Sequence, residues 1–310
     1  MDASIVVVGS LVVDLTIWLP RQPAAGETVL ANRAAMFVGG KGANQAVQVR
    51  RLGDSPLLIG KIGRDPLGSF IQDGLQKEGI LLDGIDKSLT APTSYAVPVI
   101  TPNSQYILHV PGANRDFDAV DLHPFRETLE RSRWLLVQGE IPAEVSLQAM
   151  RWTHQGSGLV LCDPAPVDGM TELVLDEADV LTPNQVEMAQ LLGQHNPSEW
   201  RMWAPKAQSL FQKYPRLRLI LVTLGQDGAL MIPRDQPRVH FNAPQVQAVD
   251  PTGAGDAFNG AWVWAVSQGW TWHKATQFAV AVGSQAAAKP GAMASLPTMK
   301  EMRKNFPEVF

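Results

Sequence analysis

The sequence predicts an α/β protein, a doubly wound and mostly parallel sheet flanked by helices, with a small β-sheet lid. Three observations predict it. Short runs rich in Val, Ile and Leu recur along the chain with the look of buried strands. Helix-length amphipathic segments separate them, and several stop at a glycine. Half-polar, β-prone segments without intervening helices interrupt this alternation in the amino-terminal third.

In chain order, Ile5, Val6, Val7 and Val8 form the first buried strand. Asp2 and no basic residue precede it, so the start lacks the layout of a secretion signal. Segments 11–19 and 28–38 have the half-polar texture. Segment 43–52 reads as a helix ended by Gly53, 57–59 as a strand, and 66–78 as a helix ended by Gly79. Segments 95–100 and 105–110 return to the half-polar texture, which puts the lid strands at 11–22, 28–38 and 94–112. Strands at 134–137, 159–162, 180–181 and 219–222 then alternate with helices at 143–155, ended by Gly156, and 185–192, ended by Gly193. An apolar helix at 261–266 follows. Repeated strand–helix–strand units imply a parallel sheet covered on both faces. With no linker and no internal repeat, residues 1–310 read as one domain.

Composition narrows the function. At 45% hydrophobic and 18% charged residues the chain can build a large core. Lys plus Arg is 26 against 30 Asp plus Glu, so there is no cationic excess to bind nucleic acid. No apolar run approaches the ~18 residues of a membrane span. The single cysteine, Cys162, excludes an intramolecular disulfide or multi-thiolate metal site, reads as a buried strand residue, and suits a reducing cytoplasm. His109, His123, His154, His195, His240 and His273 show no metal-ligand spacing. Trp262, Trp264, Trp270 and Trp272 read as packing residues.

Open parallel sheets bind ligands beyond the carboxyl ends of their strands, so glycine-rich turns there are where chemistry is expected. One is Gly39-Gly40-Lys41-Gly42-Ala43-Asn44, running into a helix. Its glycines let a ligand approach bare backbone, while Lys41 and Asn44 offer an ammonium and an amide suited to a polyhydroxylated ligand. The phosphate loop GxxxxGK[ST] is absent, and no GxGxxG follows the first strand. The second turn is Asp250-Pro251-Thr252-Gly253-Ala254-Gly255-Asp256. Amides of Gly253, Ala254 and Gly255 would form a nest for a phosphoryl group. Asp256 beside them is placed to take a proton from an attacking hydroxyl, or else to cap a helix.

GGKGANQA and DPTGAGDAFNG resemble the two signatures of the PfkB carbohydrate kinase family, the first most like its ribokinase branch. Between them, Gly26-Glu27-Thr28, Gly112-Ala113-Asn114, Gln138-Gly139-Glu140, Asp163-Pro164-Ala165-Pro166, Thr182-Pro183-Asn184 and Thr223-Leu224-Gly225 follow the family's order. The resemblance implies a ribokinase-like body and lid with sugar between them. It implies transfer of the ATP γ-phosphate to a primary hydroxyl, such as O5 of ribose. Asp256 would be the base, with Gly253, Ala254 and Gly255 as the anion hole. Asp14, at the end of the first strand, would bind sugar with Gly40, Lys41, Gly42, Asn44 and Glu140. Asn184, Thr223, Gly225, Gly228 and Gly255 would bind ATP, and Glu187 would associate with magnesium. Glu187 could equally complete a capping box with Asn184.

The resemblance also implies a potassium site at Asp250, Thr252, Ala286, Lys289, Gly291 and Ser295, and a homodimer through the lid edge. Val12 departs from the pattern, because ribokinases typically carry asparagine two residues before the first-strand aspartate. A deoxyribose, another furanose or ketohexose, or a nucleoside therefore enters as substrate. Gly139 is expected to leave extra room near the sugar. The reading from another class is a sugar-binding regulatory protein without turnover.

Overall fold

The computed structural model describes residues 3–194 and 200–310, so His195 lies outside the described residues. Nine strands form the main sheet: β1 (Ile5–Val8), β4 (Leu57–Gly63), β5 (Ile85–Ser88), β8 (Trp134–Gln138), β9 (Leu159–Asp163), β10 (Val180–Leu181), β11 (Leu219–Thr223), β12 (Ala229–Pro233) and β13 (Val239–Phe241). Their spatial order is β13-β12-β11-β10-β9-β8-β1-β4-β5. β1 pairs in parallel with β4 on one side and β8 on the other. The chain therefore builds outward from β1 in one direction and then in the other. The crevice between β1 and β8 is the switch point where such sheets bind ligands.

The strands alternate as a sheet buried on both faces must. Ile5 and Val7 join the core on one face, Val6 and Val8 the core on the other. The first face is covered by α1 (Lys41–Arg51), α2 (Pro66–Lys77), α5 (Ala254–Ser267) and α6 (Trp272–Ala287). The second is covered chiefly by α3 (Ala143–Gln155) and α4 (Gln185–Leu191). Trp262 is wholly buried, donates from its indole nitrogen to Thr276 Oγ1 at 3.1 Å, and meets Trp134 edge-on. The expected packing role of that tryptophan holds. Cys162 is buried in β9, which pushes its thiol pKa up, as an inert core residue requires.

The lid is a separate four-stranded sheet in the order β3-β2-β6-β7, built from β2 (Val12–Trp18), β3 (Arg33–Gly39), β6 (Tyr95–Thr101) and β7 (Ser104–Val110). β2 and β6 are parallel, while the outer pairs are antiparallel.

The sheet is mostly parallel, as expected, with β12 antiparallel to β11 and β13 antiparallel to β12 at one edge. Two local expectations are corrected. Residues 28–32 lie outside the lid strand, which begins at Arg33. The last signature helix begins at Ala254, so Gly255 and Asp256 sit inside its first turn.

Candidate active site

The two signature turns open α1 and α5 at glycines held in conformations that other residues rarely adopt. Gly40 has φ 92° and Gly253 φ 80°. Neither helix start carries a side-chain cap. At α5 the Ala254 amide donates to the Pro251 carbonyl at 3.1 Å, while the Gly255 and Asp256 amides take no partner among the described residues. Space above Gly255 is open. Free amides at a helix start attract negative charge.

Asp256 is 5% exposed and is gripped from the α1 side. Asn44 Nδ2 donates to its Oδ2 at 2.8 Å, and Gln45 Nε2 to its Oδ1 at 3.1 Å. The same Gln45 nitrogen donates to Asp163 Oδ2 at 3.0 Å, and Lys41 Nζ lies 3.5 Å from that oxygen. Burial pushes Asp256 up to about 7, against the pull of Lys41. Burial likewise raises Asp163 to about 6. For Lys41, burial works against the charge, but Asp163, Asp256 and Glu140 outweigh it and hold the ammonium above its usual range. The site thus pairs a poised carboxylate with a permanent cation.

Asp14 lies within β2 of the lid, opposite Phe37 and Ala96, and not at the end of the first strand as expected. The first strand ends at Val8, and the intervening turn leads into the lid. Gly39 lets Asp14 fold over the backbone, since a Cβ there would meet Asp14 Oδ2 at 2.4 Å. Burial, then Glu140 and Asp256, raise Asp14 to about 6. Glu140, just beyond β8, accepts from Ser10 Oγ at 2.5 Å and from the Lys41 amide at 3.4 Å, which ties the ends of β1 and β8 to α1. Asp14, Gly40, Lys41, Gly42, Asn44, Glu140 and Asp256 are therefore brought together around the starts of α1 and α5. Gly139 leaves no extra room there: a Cβ would meet the Pro166 carbonyl at 2.3 Å, because the backbone following β9 fills the space.

Asn184 and Thr223 stand side by side in a parallel bridge at the ends of β10 and β11. Asn184 caps α4 and forms a full capping box with Glu187. Both bridge residues thus sit at or beyond the carboxyl ends of interior strands, and Glu187 lies within electrostatic reach of Lys41 and Asp256. Gly225 and Gly228 have φ of 61° and 87°, and the space above Gly225 is open.

The third group gathers around Asp250. Its Oδ1 accepts from the Thr252 amide and its Oδ2 from the Gly291 amide, both at 2.9 Å. Ala286 and Lys289 are joined by a backbone bond at 3.1 Å, with the Lys289 ammonium paired to Glu301. Ser295 Oγ donates to the Ala292 carbonyl.

Sequence reasoning missed Ser10, Gln45, Gln138 and Asp163 as site residues. Gln45 adjoins Asn44, while Asp163 and Gln138 face each other as the last residues of β9 and β8. A polar residue closing an apolar strand run was the available signal.

Residues 2–299 match the pfkB family carbohydrate kinase profile. The chain is 31% identical over 301 residues to ribokinase of Bacillus subtilis, covering 97% of this chain and 98% of that one. It is 32% identical over 304 residues to deoxyribokinase of Salmonella typhi, covering 97% of each. The structure superimposes on Arabidopsis thaliana ribokinase, solved with ribose and ATP, at TM-score 0.89 with 28% identity and 98% of each chain covered. For ribokinase of Thermotoga maritima the TM-score is 0.85 at 31% identity, covering 97% of this chain and 98% of that one. With its poised aspartate, its two glycine-led helix starts and these likenesses over nearly its full length, the chain belongs to the pfkB family of carbohydrate kinases and is an ATP-dependent sugar kinase of ribokinase-like fold.

Proposed function

We propose that the enzyme moves the γ-phosphate of ATP to the primary hydroxyl of a pentose, with O5 of ribose as the acceptor. One observation carries this reading: a buried carboxylate, Asp256, lies at a helix start whose Gly255 and Asp256 amides are unpartnered, beside open space. Sugar hydroxyls are held by Asp14, Asn44, Lys41, Glu140 and the bare backbone at Gly40 and Gly42. Asp256 takes the proton from the attacking hydroxyl as its oxygen bonds to the γ-phosphorus. The bond to the oxygen bridging the β- and γ-phosphates breaks, ADP leaves, and Asp256 later returns its proton to solvent. Amides of Gly253, Ala254 and Gly255, with the Lys41 ammonium, take up charge on the moving group. In the structure the Ala254 amide meets Pro251, so that donor is shared with the turn.

Asn184, Thr223, Gly225 and Gly228 hold the nucleotide in this reading. Glu187 would hold magnesium, which would supply positive charge to neutralise the phosphates. The fit is good, because each Glu187 oxygen accepts one bond from Asn184 and retains a lone pair, and such sites need few protein ligands. Asp250, Thr252, Ala286, Lys289, Gly291 and Ser295 would surround potassium, which would steady the anion hole. Asp250 joins two of those segments through its two oxygens, which suits a ring of carbonyls.

One observation favours a second reading, deoxyribose. Val12 is 4% exposed, adjoins Gly39 and offers no hydrogen bond to a sugar hydroxyl. A homodimer in the cytoplasm completes the proposal. Its support is the outer lid strand β7, where Tyr106, Ile107 and Leu108 are 44%, 62% and 63% exposed. The test is ADP release from ATP and magnesium with ribose, deoxyribose, fructose, tagatose and nucleosides, with and without potassium. Turnover only with a pentose, or more with deoxyribose than ribose, decides between the two readings. ADP release indifferent to every sugar overturns both and favours a sugar-binding protein without turnover.

A further inference from the structure

The Asp256 carboxylate is held by a chain of buried amides that reaches beyond the sugar cleft. Gln45 is wholly buried, so it cannot touch a sugar, yet its single NH2 group bonds both Asp256 and Asp163. Its oxygen accepts from Gln138 Nε2 at 2.8 Å. That bond fixes which way the amide faces, since a flipped Gln45 would press its oxygen against two carboxylates and lose the Gln138 donor. Gln138 is 1% exposed and fits only because Gly9 is bare: a Cβ there would meet Gln138 Oε1 at 1.9 Å. Gly9, at the end of β1, and Gln138, at the end of β8, thus flank the sheet's switch point and orient the amide that grips Asp256.

We propose that Gln45, oriented by Gln138, is a positioning residue that aims Asp256 and keeps it ionised for proton abstraction. The inference deepens the kinase reading and rests on it. Asp256 presents Oδ2 to Asn44 and Oδ1 to Gln45, so both oxygens are fixed in direction. The charges facing it are Lys41 from α1, Asp163 from β9, Asp14 from the lid and Glu187 from α4. Only Lys41 favours its ionised form. Against three other carboxylates, the neutral donors Asn44 and Gln45, bonded to the charged form, add to Lys41 in keeping Asp256 a base.

The experiment compares wild type, Gln45→Met and Gln138→Met for kcat and KM from pH 5.5 to 9. Gln45→Met is expected to lower kcat about 10- to 100-fold at pH 6.5, within the range of a proton-transfer contribution, and to leave KM for ATP within about twofold. Its acid limb should move up by about one pH unit, so that the deficit narrows toward pH 9. Gln138→Met retains the Gln45 donor but frees its orientation, and should shift the limb in the same direction by less. It also serves if Gln45→Met fails to fold. A loss by the same factor at every pH, or kcat within twofold of wild type, overturns the proposal. A readout free of turnover separates it from the kinase reading: 13C NMR of aspartate-labelled protein, with Asp256 assigned by its loss in Asp256→Asn. The Asp256 midpoint should rise in Gln45→Met. An unmoved midpoint defeats the Gln45 proposal, while a raised midpoint in a protein that phosphorylates no sugar defeats the kinase reading alone.

Discussion

Asp256 combines demands that oppose each other, since burial favours its neutral form and the proposed proton abstraction needs the anion. Its value of about 7 predicts that kcat falls as pH drops below about 7, and a pH–rate profile checks the limb. Asp256→Asn is expected to cut kcat by about 10²–10⁴ with little change in nucleotide binding, read by coupled ADP release and a nucleotide thermal shift. Asp14 makes a stability prediction. Its folded-state value of about 6 lies above the ordinary 3.8, so its contribution to stability is full below about 3.8 and is lost as pH rises through 6. Asp14→Asn should therefore raise Tm at pH 8 and leave it nearly unchanged near pH 4, while raising KM for the sugar. A lower Tm at pH 8 would show that Asp14 is stabilised by partners and not strained by burial. Much of this scale was legible in the sequence, because Asp256, Lys41 and Asn44 lie inside glycine-rich signatures. Asp163 and Gln138 were not, because their meaning depends on adjacent strands placing two chain segments opposite each other.

Helix starts are the working parts at the scale of elements. α1 and α5 begin at glycines without side-chain caps, whereas α2 and α4 begin at Asp65 and Asn184, whose side chains bond their first turns. Gly253→Ala places a side chain at φ 80° with its Cβ 3.1 Å from Ala292 backbone, and should cost about 1–2 kcal/mol as well as activity, measured by denaturant unfolding. Asn184→Ala removes an N-cap worth about 0.5–2 kcal/mol and should raise KM for ATP. Unchanged KM would confine Asn184 to capping. Glycine stops marked the ends of α1, α2, α3 and α4 to within about two residues, as helix signals allow. The start of α5 was read late, because Gly253-Ala254-Gly255 looks like a turn until Asp256 is seen to continue into the helix. β12 and β13 went unread: β12 pairs antiparallel with β11 across a tight turn at Gly225–Asp227 and Gly228, and β13 pairs antiparallel with β12.

At the scale of the molecule, two sheets meet at the switch point of the larger one. The lid carries Asp14, while the body carries Asp256, Asn184 and Thr223. Lid closure over sugar would exclude water and suppress ATP hydrolysis. Light scattering should find about twice the chain mass of 33.7 kDa, and Leu108→Lys on the outer lid strand should shift it toward one. A single chain across micromolar concentrations contradicts the dimer. The doubly wound body and separate lid were legible from strand spacing and texture, but the sugar was not, since Val12 removes a polar partner without supplying a new one. The central claim is that Asp256 takes the proton from a sugar hydroxyl that attacks ATP. It is tested most directly by 31P NMR of ATP, magnesium and ribose or deoxyribose with wild type and Asp256→Asn. The account predicts a sugar phosphate monoester and ADP growing together with wild type and neither with the variant. Equal monoester growth with both would contradict it.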